Sequence, residues 1–367
     1  MKPSALLPAA LVLLFSQCGG NESYILTETD YMPAFAGDSC LYIDRDDDLR
    51  FAGPYTDASL FYDDMALVCN RADDKWGYID DAGELIYPAV YKEATIFHEN
   101  RAWVVRPDEA PCAIDTKGRL QLTLTRASRA MIFCEGMAAF AQKGKRGERW
   151  GFIDKSGNTV VKPAYRQVKP FTQGLAAVQN EEGMWGYIDA QGVETIAPRY
   201  ESAESFSTHR QAVVQVKPGT FRVIGIQGDS IWQTECENLV SDGTLFRIQK
   251  AGKWGWCDAS GKEVIAPAFD DSRAFGSAEL APVKLQGKWG YIDRHGKWKI
   301  KRQFAEALPF FDGLALVQAG TVYGFVDTDG RYRINPQYDR ISADYMQQAL
   351  GAGSAFTTVA SDHARYK

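Results

Sequence analysis

The chain has 367 residues, with 41 Lys and Arg against 47 Asp and Glu and a formal charge of −6. A pI near 5.4 excludes a backbone-driven nucleic-acid binder, which needs a basic face to neutralise phosphates. Hydrophobic residues at 45% and aromatics at 12% supply enough apolar material to fold.

In chain order the first element is a targeting segment. Met1-Lys2 gives a small positive start, and Leu6 to Phe15 is an apolar run of about ten residues, the length of a signal-peptide core and too short for a membrane span. Residues 1–17 are predicted to be a signal peptide and 18–39 a linker. The run ends at Phe15-Ser16-Gln17-Cys18-Gly19-Gly20, which resembles the lipobox of bacterial lipoproteins. Gln17 departs from the Gly or Ala usual before the modified Cys. The resemblance implies that Cys18 receives a lipid and anchors an exported protein at the membrane. No other stretch is long and apolar enough to cross a bilayer. The remaining cysteines, Cys40, Cys69, Cys112, Cys134, Cys236 and Cys257, are even in number, which permits disulfides in an exported chain. Neighbour pairs (40 with 69, 112 with 134, 236 with 257) would staple units locally. Small buried hydrophobes are the other reading, favoured at Cys257 because it stands where other units have Ile.

From residue 40 onward a phrase repeats. Trp76, Trp150, Trp185, Trp254 and Trp289 each begin a Trp-Gly-aromatic run that leads to an Asp, with a Gly seven residues after the Trp. Degenerate copies begin at Cys40, Pro111, Phe221 and Tyr323, so nine units are spaced 36, 35, 39, 35, 36, 33, 35 and 34 residues apart. A period of about 35 residues is the signature of a repeat architecture. In each unit an Ala-Val strand precedes the Trp-Gly strand, and a third strand closes on Pro-x-aromatic, as in Pro163-Ala164-Tyr165 and Pro198-Arg199-Tyr200. The Asp caps the second turn and Gly supplies positive φ there. Alternation puts Trp, Tyr and Asp on one strand face, so the rings are expected to form the seam between stacked units.

These residues resemble the WG-repeat (KWG) family over about residues 40–340. The resemblance implies all-β repeats and a non-catalytic interaction role in a bacterial, often exported, protein. The expected fold is therefore all-β, a tandem array of nine three-stranded units in an elongated or curved solenoid-like stack. A closed β-propeller is the second geometry, because blades ordinarily need about four strands and 40 or more residues. Residues 341–367 lose the pattern and are read as a tail; Tyr345 to Leu350 could make a helical turn or two.

Few residues point to chemistry. Asp44, Asp46, Asp47 and Asp48 suggest a calcium loop, but Leu49 and Tyr55 stand where such a loop needs Gly and Glu, which favours a solvated turn. His98, His209, His295 and His363 lack metal-ligand spacing. No P-loop, Rossmann or nucleophile-elbow signature occurs. No catalytic residue, metal or cofactor is therefore assigned. Trp103, Trp232, Trp256 and Trp298 lie outside the repeat position and are the candidates for an exposed binding face. The expected function is a non-catalytic envelope scaffold for a protein or glycan partner, with membrane contact only through the anchor. The alternative is a hydrolase of envelope polymers, with a cleft in the 111 or 221 unit lined by carboxylates such as Glu235, Glu237 or Asp242.

Overall fold

The computed structural model describes residues 31–145, 147–311, 313–350 and 358–360. Among them, nine antiparallel sheets, eight of four strands and one of five, form a closed ring, a nine-bladed β-propeller. Blade 1 comprises residues 32–53 with 340–341, and blades 2 to 9 comprise 55–91, 93–123, 129–165, 167–200, 202–235, 238–269, 271–304 and 306–338. Each blade contains one of the nine repeat positions. The solenoid-like stack of three-stranded units is therefore corrected to the second geometry, the propeller. In six of the nine blades the missing fourth strand is only two residues long, as in Gln167–Val168, Ser202–Ala203, Asp271–Ser272 and Glu306–Ala307. So short a strand carries no period-2 signal, and it lets about 35 residues build a complete blade.

The Trp-Gly phrase and the Pro-x-aromatic phrase turn out to be two halves of one device. In blade 5, Trp185 pairs with Tyr200 and Tyr187 with Ile196, so three outer-strand residues oppose the single Gly186. This is a bulge, and it folds the outer backbone over the glycine. A Cβ on Gly186 would lie 2.5 Å from the Ile196 oxygen and 2.7 Å from the Pro198 nitrogen. Pro198 also lacks the N–H that would let this rim edge recruit another strand.

Successive blades are latched by the motif tyrosine. The buried Tyr187 hydroxyl donates to the Glu204 carbonyl of blade 6 at 2.7 Å. Tyr42, Tyr78 and Tyr291 do the same to Ser59, Thr95 and Leu308, each 17 residues ahead. Trp185, Tyr187 and Tyr200 pack with Ala203, Phe206 and Ala212 of blade 6, the seam expected from alternation. In the turn, Asp189 accepts the Gln191 and Val193 amides at 3.0 and 2.9 Å. Gly192, at φ +80, rests on Val161 of the preceding blade, so both conformation and space demand glycine there.

The ring closes where the chain returns to its start. Ala34 and Phe35 of blade 1 pair with Ile341 and Arg340. The first blade begins at Met32, inside the stretch read as linker. The segment after Ile341 then forms a helix, Ala343–Ala349, capped by Ser342. Buried Asp344 accepts the Leu60 amide and the Tyr62 hydroxyl, each at 2.8 Å. An apolar cluster joins Tyr345 and Ala349 to Met32, Leu60, Ile96, Ile132 and Leu316. It reaches five consecutive blades, 9 through 4, so it lies at the centre of the ring. Thr358–Ala360 adds a fifth strand to blade 4, beside Arg129–Cys134. Among the described residues no helix is long and apolar enough to cross a membrane.

Candidate functional site: a groove on the third blade

Blade 3 departs from the repeat at both halves of the device. Its repeat position is Pro111, the next residue is Cys112 instead of Gly, and no Pro-x-aromatic follows. Its outer strand, Leu120–Thr123, has four residues, against seven in Glu194–Tyr200 of blade 5. Cys112 pairs directly with Thr123, so no bulged backbone folds over this position. A groove of about 360 Å³ opens there. Val104, Ala110 and Ile114 give it apolar walls, and Arg106, Asp108 and Glu109 stand among its polar lining. The Cys112 thiol lies 3.4 Å from the Ala110 oxygen and 3.5 Å from the Thr123 hydroxyl. Arg106 is held over the Tyr91 ring at 5.5 Å and lies 3.8 Å from Glu109. Leu120, on the groove, is 63% exposed, and the outer strand of blade 2 exposes Leu85, Ile86 and Val90.

Blade 3 also lacks the latching tyrosine, because Ala113 stands at that position. The buried Trp103 replaces it and donates its indole N–H to the Met131 oxygen of blade 4 at 2.8 Å. His98 adds a 2.6 Å bond to the Phe133 oxygen. The expectation that Trp103, Trp232, Trp256 and Trp298 form an exposed face is thus overturned. Trp103 and Trp256 are completely buried. Trp256 occupies the tyrosine position of blade 7 and donates to Asp242 at 2.7 Å. Trp232 and Trp298 are half-buried, Trp232 under Gly261 and Trp298 against Phe269. Of the repeat tryptophans, Trp150, Trp185 and Trp289 are buried, while Trp76 and Trp254 are partly exposed.

The other singled-out residues fall as follows. Cys40, Cys69, Cys112, Cys236 and Cys257 are free thiols, so none of the three neighbour pairings is made. Burial pushes the Cys40 and Cys257 thiols up to about 12, the behaviour of small buried hydrophobes. Cys134, buried in the central cluster, is disulfide-bonded. Asp44 caps its turn through the Asp46 and Asp48 amides. Asp46 and Asp47 reach across to Arg333, Gln337 and Tyr338 of blade 9. The acidic cluster is therefore a turn that also fastens the ring. Among the described residues no group of three or more His, Cys, Asp or Glu is placed to hold a metal. His209 and His295 are exposed, and Cys18 and His363 lie outside the described residues. A cleft does occur in the 111 unit, but Glu235, Glu237 and Asp242 do not line it. Glu235 and Glu237 are exposed on the rim side of blade 6 and the connection to blade 7, and Asp242 is buried against Trp256 and the Phe275 amide.

Charge that pattern reading missed collects beside the inner strands of blades 5 to 8. Lys169, Glu204 and Arg273 each stand 19 residues after their repeat position, where other units carry Ser59, Thr95 or Leu308. Burial pushes the Glu204 carboxyl up to about 7, against the pull of the Lys169 ammonium, a hydrogen bond from the Ser241 amide and the Arg247 guanidinium. Such a group stabilises the fold while protonated. Its contribution is complete below the unfolded value near 4.5 and is lost as pH rises to about 7. We expect Glu204→Gln to remove about 3 kcal/mol of that pH dependence, so the variant gains on the native chain between pH 4.5 and 7. Urea midpoints at the two pH values measure it; parallel curves would refute it.

Comparison with known proteins follows the same pattern of regular and degenerate blades. The family described as WG containing repeat matches residues 76–106, 150–183, 185–208, 254–289, 289–320 and 323–345. These matches begin in blades 2, 4, 5, 7, 8 and 9, most of them running into the blade that follows, and none begins at the degenerate repeat positions 40, 111 and 221. No curated protein matches the chain. Among solved structures, a eukaryotic initiation factor is 12% identical, with a TM-score of 0.63, over 86% of this chain and 98% of that one. Apo AztD from Citrobacter koseri is 10% identical, with a TM-score of 0.47, over 85% and 96%. BamB from Moraxella catarrhalis is 11% identical, with a TM-score of 0.39, over 73% and 95%. The first shows a shared fold; the other two are too loose to argue from.

Proposed function

We propose that this chain, which belongs to the WG-repeat family, is a non-catalytic scaffold of the bacterial cell envelope that binds a protein or glycan partner. The observation that carries this reading is the division of labour among the blades. The repeated Trp, Gly, Tyr and Asp are consumed in packing, latching and turn formation. The irregular third blade instead offers an open groove with exposed Leu120 beside it. An apolar concavity with a few polar groups is the usual form of a binding site. The signal-like segment Leu6 to Phe15 and Cys18 support export and lipid anchoring, so the ring would work tethered to a membrane.

Two experiments test the reading. Cys18→Ser should shift the protein from the membrane fraction to the soluble envelope fraction, and unchanged partition would refute the anchor. Protein beginning at residue 19 should capture a defined envelope protein or glycan. Leu120→Asp, at a site exposed enough to leave the fold intact, should weaken that capture at least tenfold, roughly the worth of a central apolar contact. Equal capture by the variant, or turnover of an envelope polymer, would overturn the assignment.

A further inference from the structure

Exposed apolar side chains gather on one arc of the ring, and they do so at a single position of the repeat. The outer strand of every blade begins just past the second turn. Its first residue is Tyr332 in blade 9, Leu49 in blade 1, Leu85 in blade 2 and Leu120 in blade 3. These four are between 42% and 63% exposed, and exposed Ile86 follows Leu85. In blades 4 to 7 the same place holds Thr159, Glu194, Ser230 and Glu263, and in blade 8 Trp298 is half-buried against Phe269. Val193, Ile231 and Val264 are exposed as well, but each stands beside one of those polar residues. Single apolar residues are ordinary on a surface, whereas a contiguous apolar patch marks an interaction site.

The four positions adjoin in space. Asp46, in the turn of blade 1, accepts from Arg333, the neighbour of Tyr332, at 2.8 Å. Gly83, in the turn of blade 2, lies on the Phe51 ring two residues past Leu49. Tyr87, two residues past Leu85, donates to the Thr116 oxygen in the turn of blade 3 at 2.8 Å. Arg50, Arg119, Arg331 and Arg333 alternate with the apolar residues, and each pairs with a turn aspartate. Leucine and tyrosine beside arginine is the composition of a membrane interface, where the apolar part sinks in and the guanidinium stays among the headgroups.

The chain enters the ring at this same edge. Met32 pairs with Ile43, and Ile43 with Leu49, so all three lie on one rung and Leu49 stands about 10 Å from Met32. Arg50 lies over the Tyr31 ring at 5.3 Å. Residues 19–31 could extend to at most about 45 Å, so a lipid on Cys18 would hold this edge close to its bilayer.

We infer that the arc formed by Tyr332, Leu49, Leu85, Ile86 and Leu120 is a docking face for a lipid surface. The inference rests on the anchor reading for its setting and adds a second membrane contact to the lipid. The tether presents the bilayer to this edge at high effective concentration, so a shallow apolar contact suffices to orient the ring.

The test uses lipid-free protein beginning at residue 19, sedimented with vesicles of phosphatidylethanolamine and phosphatidylglycerol. Half of it should bind at about 1 mM lipid, a weak affinity that the tether would amplify. Leu49→Asp combined with Leu85→Asp should weaken binding about tenfold, and the milder Leu49→Ser or Leu85→Ser about threefold each, because interfacial affinity follows buried apolar area. Leu120 is spared because it borders the groove. Val264→Asp, on blade 7, is the control and should bind like the native chain. Unchanged urea midpoints establish that the variants fold. No binding by the native chain, equal binding by the double variant, or an equal loss in Val264→Asp would overturn the docking face. So would a dimer in sedimentation equilibrium that the double variant dissociates, which would give the arc to a second copy of this chain. Membrane partition of Cys18→Ser reads the anchor and vesicle binding without lipid reads the arc, so each can fail alone.

Discussion

Gly186→Ala lowers stability by about 3 kcal/mol or more, although it adds a single methyl to a residue with ordinary strand conformation. The new Cβ would sit 2.5 Å from the Ile196 oxygen and 2.7 Å from the Pro198 nitrogen, both backbone atoms. A side chain could rotate away, but here the outer strand itself must move. That movement opens the bulge between the Trp185–Tyr200 and Tyr187–Ile196 pairs and loosens the aromatic seam to blade 6. Overpacking alone costs about 1–3 kcal/mol, and disturbed strand bonds add about 1 kcal/mol each. Gly174→Ala is the control, because Gly174 has φ +81 and nothing within 4 Å of a built Cβ. It should cost only the left-handed penalty of about 1 kcal/mol. A ring of nine blades can depart from two-state unfolding, so the observable is the shift in urea midpoint followed by tryptophan fluorescence. Equal shifts for the two variants would show that close backbone approach is not the reason for the Gly.

The repeat was legible because its residues are fixed by packing that recurs in six of the nine blades. Trp185, Gly186, Tyr187, Asp189 and Gly192 all have counterparts one period away, and the structure gives each a separate physical duty. Closure was not legible for a specific reason. The strand that turns a three-stranded unit into a blade is a pair such as Ser202–Ala203, and its membership is decided by pairing with Val214 and Gln215, not by its own composition. The groove was half legible. Pro111 in place of the repeat Trp flagged the 111 unit as degenerate, but that a void would result depends on the neighbouring backbone. The inner charges were missed because Lys169, Glu204 and Arg273 replace one another at a single repeat position. Aligning units on that position, 19 residues after the Trp, would have exposed a buried site where Ser, Thr and Leu give way to charge. Trp103 misled for the converse reason: outside the motif it looked free, yet it does the work of the tyrosine that blade 3 lacks.

Deleting residues 339–367 should abolish cooperative folding of the ring, a larger loss than any single substitution here. Nothing in the repeat pattern of blades 1 to 9 is removed, so an open stack of independent units would survive it. A propeller cannot. The deletion removes Arg340 and Ile341, the strand that pairs with blade 1 across the closing seam. It also removes Asp339, which accepts the Gly37 amide at 2.8 Å, and the Arg340 guanidinium stacked over Phe35 at 3.7 Å. The helix goes with them, leaving the Leu60 amide and Tyr62 hydroxyl without Asp344 and the central apolar cluster without Ile341, Tyr345 and Ala349. Burying three such side chains is worth about 4–8 kcal/mol, comparable with the whole stability of an ordinary domain. The turn contacts of Asp46 and Asp47 with Arg333, Gln337 and Tyr338 remain, but exposed ion pairs and polar bonds contribute only about 1 kcal/mol each. Small-angle scattering should show an expanded particle, and the thermal transition should broaden or vanish. Asp344→Ala, which keeps the chain length and the closing strand, is expected to cost about 2–3 kcal/mol and to preserve the ring. A truncated protein with native dimensions and an unchanged transition would mean that blade-to-blade packing alone holds the circle closed. The return of the chain to its first blade would then be a consequence of the ring and not its cause.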